Sequence, residues 1–158
     1  MNSRIKIRSI AIAIALPLAV GGLAALITTG AMQDFAALNK PPLSPPGWIF
    51  PIVWTLLYVL MGIASYNVLS SGAHPFEKKD ALGLYLVQLG ANFLWSIIFF
   101  TLGAYELAFI WLVILLVLVV VLTRRFWRID RRAGILMLPY VLWVSFAGYL
   151  NLAITFLN

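Results

Sequence analysis

The chain has 158 residues, 63% of them hydrophobic and only 10% charged, with a mean hydropathy of +1.01, whereas globular domains carry roughly 25% charged residues. This excludes a soluble globular domain and leaves an all-α integral membrane protein with a single domain over residues 1–158, since no stretch between the apolar segments is long enough for a separate core. Cysteine is absent, which rules out disulfides, thiolate metal sites and a Cys nucleophile, and the net charge of +6 resides in short clusters flanking apolar runs, so it reports topology rather than nucleic-acid binding.

Five segments approach the roughly 20 apolar residues a membrane helix needs: Ser9–Ile27, Trp48–Leu69, Ala81–Leu102, Leu107–Thr123 and Ala133–Phe156. The first follows Arg4, Lys6 and Arg8, as a secretory signal would. Its apolar run is long and its Ala-x-Ala sites lie inside that run, so a retained span is expected, with a cleaved signal as the alternative. Gly21, Gly22 and Ala25 give this span a small-residue surface for close helix approach, and nothing else in it suggests a site.

The connection to the second span holds Lys40-Pro41-Pro42-Leu43-Ser44-Pro45-Pro46-Gly47-Trp48. Proline fixes φ and drives its predecessor into extended geometry, so Pro41–Pro46 should form a stiff hood ending where a helix begins. A long connection without secondary structure is commonly functional, which directs attention here.

In the second span Pro51, Trp54, Tyr58 and Ser65 share one helix face. The third carries a stripe of Tyr85, Gln88, Asn92, Trp95 and Phe99, and the fifth one of Tyr140, Trp143, Ala147 and Asn151. Buried amides bonding across a bundle and interfacial aromatic belts account for any one of these residues. Trp54, Trp95 and Trp143 lie too deep for belts, however, and three such stripes together favour a cavity. The fourth span, with its aliphatic run Leu112–Leu122, is suited to lipid contact or packing.

No Asp, Glu, Lys, Arg or His lies inside an apolar segment, which argues against ion-coupled transport. His74, the only histidine, falls in a polar connection and is expected to be solvated, and no metal site is expected; Asp34 and Glu106 should cap or flank helices. Arg4, Lys6, Arg8, Lys78, Lys79, Arg124, Arg125, Arg128, Arg131 and Arg132 all fall on one side of a five-span bundle, and Lys40 alone on the other. The positive-inside rule then places the N-terminus in the cytoplasm and the hood and C-terminus outside, as expected of a bacterial inner-membrane protein.

The segment Lys40–Tyr58, then Gln88 with Ala91-Asn92-Phe93-Leu94-Trp95, then Pro139-Tyr140-Val141-Leu142-Trp143 through Leu150-Asn151, resembles the TspO/MBR family, the tryptophan-rich sensory proteins of bacteria and the mitochondrial translocator protein. The resemblance covers nearly the whole chain in order. It implies a five-helix bundle whose first long loop lids a pocket for porphyrins, such as protoporphyrin IX, and for isoquinoline-carboxamide ligands. Trp54 and Trp143 match two pocket tryptophans linked to light-dependent porphyrin breakdown in some bacterial members; Trp48, Tyr58, Asn92, Trp95 and Ala147 match positions in or near the pocket wall. Gln88, Phe99, Tyr140 and Asn151 complete the expected ligand-binding set. A homodimer through Gly83 and Ala91 of the third span is also implied, although the bulky Val87 lies between them. The cholesterol-recognition pattern of vertebrate members, a Tyr followed by a basic residue after the last Leu-Asn, is missing from Leu150–Asn158.

The function expected on this resemblance is a porphyrin-binding membrane sensor, regulator or carrier that needs no obligatory cofactor. Two alternatives stay open: a light-dependent porphyrin-degrading enzyme using Trp54 and Trp143, and a small regulatory or transport-facilitating subunit whose stripes contact a partner helix. With no buried His or Cys to ligate iron axially, metal-free porphyrin should bind at least as well as haem.

Overall fold

The computed structural model describes residues 3–158, the side chains of residues 3–5 and 32–34 excepted, so the expectations for Arg4 and Asp34 lie outside the described groups. Five helices are long and apolar enough to cross a membrane. They are α1 (Ser3–Thr28), α3 (Ile49–Ser70), α4 (Pro75–Ser96), α5 (Tyr105–Ile129) and α6 (Arg131–Leu157). The connection after α1 is not structureless: a 3-10 turn (Thr29–Ala31) leads into a short helix, α2 (Met32–Ala37), before the Pro-rich stretch.

Helix ends follow local chemistry. Asp130 Oδ1 accepts from the Ala133 amide at 2.9 Å and caps α6. His74, exposed, caps α4 in the same way, its Nδ1 accepting from the Phe76 amide at 3.2 Å with Pro75 at the first helical position. Sequence reading ends the fourth span at Thr123, but α5 continues to Ile129 and carries Arg124, Arg125 and Arg128 as helical residues. The arginines mark where the hydrocarbon ends, not where the helix ends, because their long stems reach the interface from a continuing helix. At the other end of the bundle α4 passes into a π-helical turn, Ile97–Thr101, before Gly103 turns the chain at φ 60°.

Around the bundle the helices run α1, α3, α6, α5, α4, with α4 meeting α1 and α3 only lightly. Met61, Ala64 and Val68 of α3, Leu115, Val119 and Phe126 of α5, and Met137 and Val144 of α6 form the tightest core, each at most 1% exposed. In lipid this core is held by close packing rather than by escape from water. Gly62 brings α3 against the backbone of α1, where an added Cβ would sit 2.7 Å from the Ala13 carbonyl oxygen. Pro17, four residues on in α1, has no N–H to give that carbonyl, so the contact falls where the helix has already lost a bond.

The basic groups gather at one end. Lys6, Arg8, Lys78, Lys79 and the five arginines from Arg124 to Arg132 lie there, with Arg125 paired to Asp80 across α5 and α4. The opposite end holds α2, the Pro-rich lid and Lys40.

Candidate functional site

Where α1, α3 and α4 meet, the light packing leaves a half-open cavity of about 310 Å³. From α3 it is lined by Phe50, Pro51, Trp54 and Tyr58, from α4 by Trp95 and Ser96, and beyond them by Phe100. The α1 wall is Gly21, Ala24, Ala25 and Thr28, continued by Thr29 of the 3-10 turn, which corrects the expectation that the first span contributes nothing. Its small residues keep this wall thin: Gly21 lets the Tyr58 ring lie directly against α1, whereas Gly22 is exposed and is not part of the wall. Ala25, Thr29 and Pro51 are exposed, so the opening lies between α1 and α3 near the lid.

A second, narrow recess of about 20 Å³ lies behind the first, between Phe35, Phe99, Ala147, Asn151 and Ile154, and shares Phe50, Trp95 and Phe100 with it. Phe35, delivered by α2, closes this region from above. Its ring meets Phe50 at 6.2 Å, Phe99 at 5.9 Å and Phe100 at 5.4 Å, each edge-on, while Lys40 Nζ lies 5.0 Å from its centroid. The Pro-rich stretch lies over the same end, tied to α6 by the Tyr149 hydroxyl, which donates to the Pro42 carbonyl at 3.0 Å.

The stripes read from the sequence separate into two groups. Trp54, Tyr58 and Trp95 face the cavity, with Trp54 stacked on Tyr58 at 5.6 Å; Phe99, Ala147 and Asn151 face the recess. Gln88 and Tyr140 face neither: the Tyr140 hydroxyl donates to Gln88 Oε1 at 2.8 Å, and Gln88 Nε2 lies 3.9 Å from Met61 Sδ. Their polar atoms hold α3, α4 and α6 together in the manner of buried amides in any helix bundle.

Asn92 lies behind the cavity wall. Its Nδ2 donates to the Tyr58 hydroxyl at 3.0 Å, and its Oδ1, fully buried, has no partner among the described residues. Asn151 accepts from Trp95 Nε1 at 3.3 Å and donates to the Tyr105 carbonyl at 2.9 Å, which fixes the indole forming part of both walls.

Two expected residues stand apart. Trp48 precedes α3 and is 67% exposed. Trp143 packs edge-on to Phe50 at 5.8 Å and beside Phe146 at 5.7 Å, so Phe50 comes between it and the cavity, and its Nε1 is buried without a partner. Ala91, expected on a dimer surface, is buried, and its carbonyl accepts from Trp111 Nε1 at 2.8 Å; Gly83, Val87 and Gly90 form the exposed face of α4 instead.

Sequence reading missed Phe35, Phe50, Phe100 and the α1 wall. Phe50 was accessible, being four residues before Trp54 on the same face, as was the spacing of Gly21, Ala24, Ala25 and Thr28. Phe100 was not, because only the π-turn brings consecutive Phe99 and Phe100 both inward.

Comparison with known proteins is consistent along the chain. The sequence profile of the TspO/MBR family matches residues 13–157. The chain is similar to the tryptophan-rich protein TspO of Chlorobaculum tepidum, at 37% identity over 97% of this chain and 98% of that protein. It is also similar to the tryptophan-rich protein TspO of Archaeoglobus fulgidus, at 39% identity over 89% and 91% respectively. The translocator protein of Bos taurus is 36% identical over 86% of this chain and 82% of its own length.

Proposed function

The chain belongs to the TspO/MBR family of membrane proteins, and on that premise we propose that it binds a flat apolar tetrapyrrole of the porphyrin class, as a sensor or carrier, in the cavity between α1, α3 and α4. The observation that carries this reading is the aromatic wall formed by Phe50, Trp54, Tyr58, Trp95 and Phe100 facing the small residues of α1. Such a slot suits stacking on a planar macrocycle, with one thin wall and one aromatic wall.

At about 310 Å³ the cavity is at the lower end of the range of small-molecule sites, roughly 300–1,000 Å³. A macrocycle therefore occupies both recesses, with Phe50 or Phe100 turning aside, a side-chain change of the kind common on binding. No histidine approaches the site, since His74 caps α4 at the basic end. Metal-free porphyrin should consequently bind at least as tightly as haem. The basic end faces the cytoplasm under the positive-inside rule, which puts the lid on the outer face of a bacterial inner membrane.

Titrating the purified protein with protoporphyrin IX should give saturable quenching of tryptophan fluorescence, with about tenfold weaker binding in Ala25→Phe, which fills the mouth. Non-saturable quenching would refute the reading and favour a partner-contacting subunit. A Soret shift with haem alone would overturn the prediction about metal-free ligand.

A further inference from the structure

At the basic end, far from the porphyrin-class cavity, a groove of about 230 Å³ runs along the seam of α5 and α6, lined by Val120, Thr123, Arg124, Trp127, Leu138 and Val141. We propose that it is a binding site for one anionic phospholipid, with an acyl chain along Val120, Leu138 and Val141 and the phosphate at Arg124.

Depth supports this assignment. The 25 residues of α5 span roughly 37 Å at 1.5 Å per residue, more than the roughly 30 Å of hydrocarbon. Arg124 lies five residues before the end of α5 at Ile129, about 7 Å along the axis, so with the excess length at this end its backbone sits at the edge of the hydrocarbon and its long stem carries the guanidinium out to the phosphates. The aliphatic liners lie farther in, and Trp127, 39% exposed, sits at the level tryptophan favours in membranes. Its position is set by packing: Gly134 has no Cβ, and one placed there would meet the Trp127 side chain at 2.6 Å.

Charge selects the headgroup. Arg125 is paired with Asp80, and Asp130 is occupied in capping α6. Arg124 is exposed and has no acidic or hydrogen-bonded partner among the described residues, and Arg128 follows it by one helical turn. The Thr123 hydroxyl is spent on the Val119 carbonyl at 2.7 Å, so the guanidinium is the polar group the groove presents to a ligand. Basic pockets between membrane helices recognise anionic headgroups in this way, the guanidinium offering several donors to one phosphate.

Native mass spectrometry of the full chain, released from micelles containing phosphatidylglycerol or phosphatidylcholine, tests the site. One phosphatidylglycerol should remain bound per chain. Its affinity should fall about tenfold in Arg124→Gln, as for loss of charge-assisted hydrogen bonds, and similarly in Val141→Trp, which fills the groove with the charge intact. Arg131→Gln, which removes equal charge outside the groove, should change it no more than about twofold. Circular dichroism confirms that each variant is folded. Equal losses in Arg131→Gln and Arg124→Gln would mean diffuse attraction and overturn the proposal. So would equal retention of phosphatidylcholine, displacement by inorganic phosphate, or a Val141→Trp effect confined to dimerisation.

Discussion

Asn39 in the lid and Asn158 after α6 bond each other in both directions: the Asn39 amide donates to Asn158 Oδ1 at 3.0 Å, and Asn158 Nδ2 donates to the Asn39 carbonyl at 3.1 Å. With the Tyr149 to Pro42 bond and a longer one from Asn39 Nδ2 to the Leu157 carbonyl at 3.4 Å, this clasp ties the lid to α6. Replacing Asn158 with Ala removes both bonds at an exposed site, at a cost of about 1 kcal/mol. Exchange of the Asn39 amide should accelerate about fivefold and bound porphyrin should dissociate faster, while helicity stays constant. Unchanged exchange would show that Tyr149, the Phe35 cluster and the remaining Asn39 to Leu157 bond hold the lid without Asn158.

Leu43 adopts φ 69° in the lid, at the third position of a turn closed by the Ser44 amide donating to the Pro41 carbonyl at 3.2 Å. With Pro42 at the second position this is the type II arrangement, which favours glycine where Leu43 stands. Left-handed geometry costs an L-residue roughly 1–2 kcal/mol, and glycine gives back part of that through unfolded-chain entropy. Leu43→Gly should therefore raise stability by up to about 1 kcal/mol, seen in the thermal midpoint. Leu43→Val should lower it, since a β-branched residue tolerates this geometry least.

The five spans were legible because hydropathy and charge placement are written locally, and the aromatic stripes of α3 and α4 because they obey the 3.6-residue period. Which stripe residues face a cavity and which join in pairs was not. Gln88 and Trp95 occupy the same stripe of α4, yet one bonds Tyr140 in the packed core and the other lines the open cavity; the difference depends on how far α1 stands from α4. That separation is tertiary: only 11% of the most apolar stretch of α1 is buried, against 33–39% in the other spans, because α1 packs closely on α3 but meets α4 only lightly. The inward Phe100 likewise depends on a π-turn that leaves no periodic signature.

Gly21 and Gly22 are adjacent in sequence and opposite in consequence. A Cβ on Gly21 would fall onto the ring of Tyr58, which is buried and bonded to Asn92, whereas one on Gly22 would meet nothing. Gly21→Ala should cost about 1–3 kcal/mol as overpacking displaces Tyr58, and porphyrin binding should weaken with it. Gly22→Ala should leave binding unchanged and stabilise the helix by up to about 1 kcal/mol. Matched binding isotherms of the two variants check both; equal effects would mean that Tyr58 is not part of the wall.

Trp54 and Trp143 are the two residues the family resemblance assigns to light-dependent chemistry, but they hold different positions here. Trp54 lies on the cavity wall, stacked on Tyr58, whereas Phe50 screens Trp143. Trp54→Phe should therefore reduce the porphyrin-induced fluorescence quenching without abolishing it, since Trp95 stays on the wall, and weaken binding a few-fold, as a smaller ring keeps only part of the stacking contact. Trp143→Phe should change binding little. It also deletes a buried N–H that has no partner, so its effect on stability should stay within about 1 kcal/mol. If the bound complex is illuminated, loss of porphyrin should depend on Trp54 in the wild-type background and on Trp143 only when Phe50→Ala removes the screen. Equal dependence on both tryptophans with Phe50 intact would mean that Phe50 already swings aside when the ligand binds, joining the two recesses into one site.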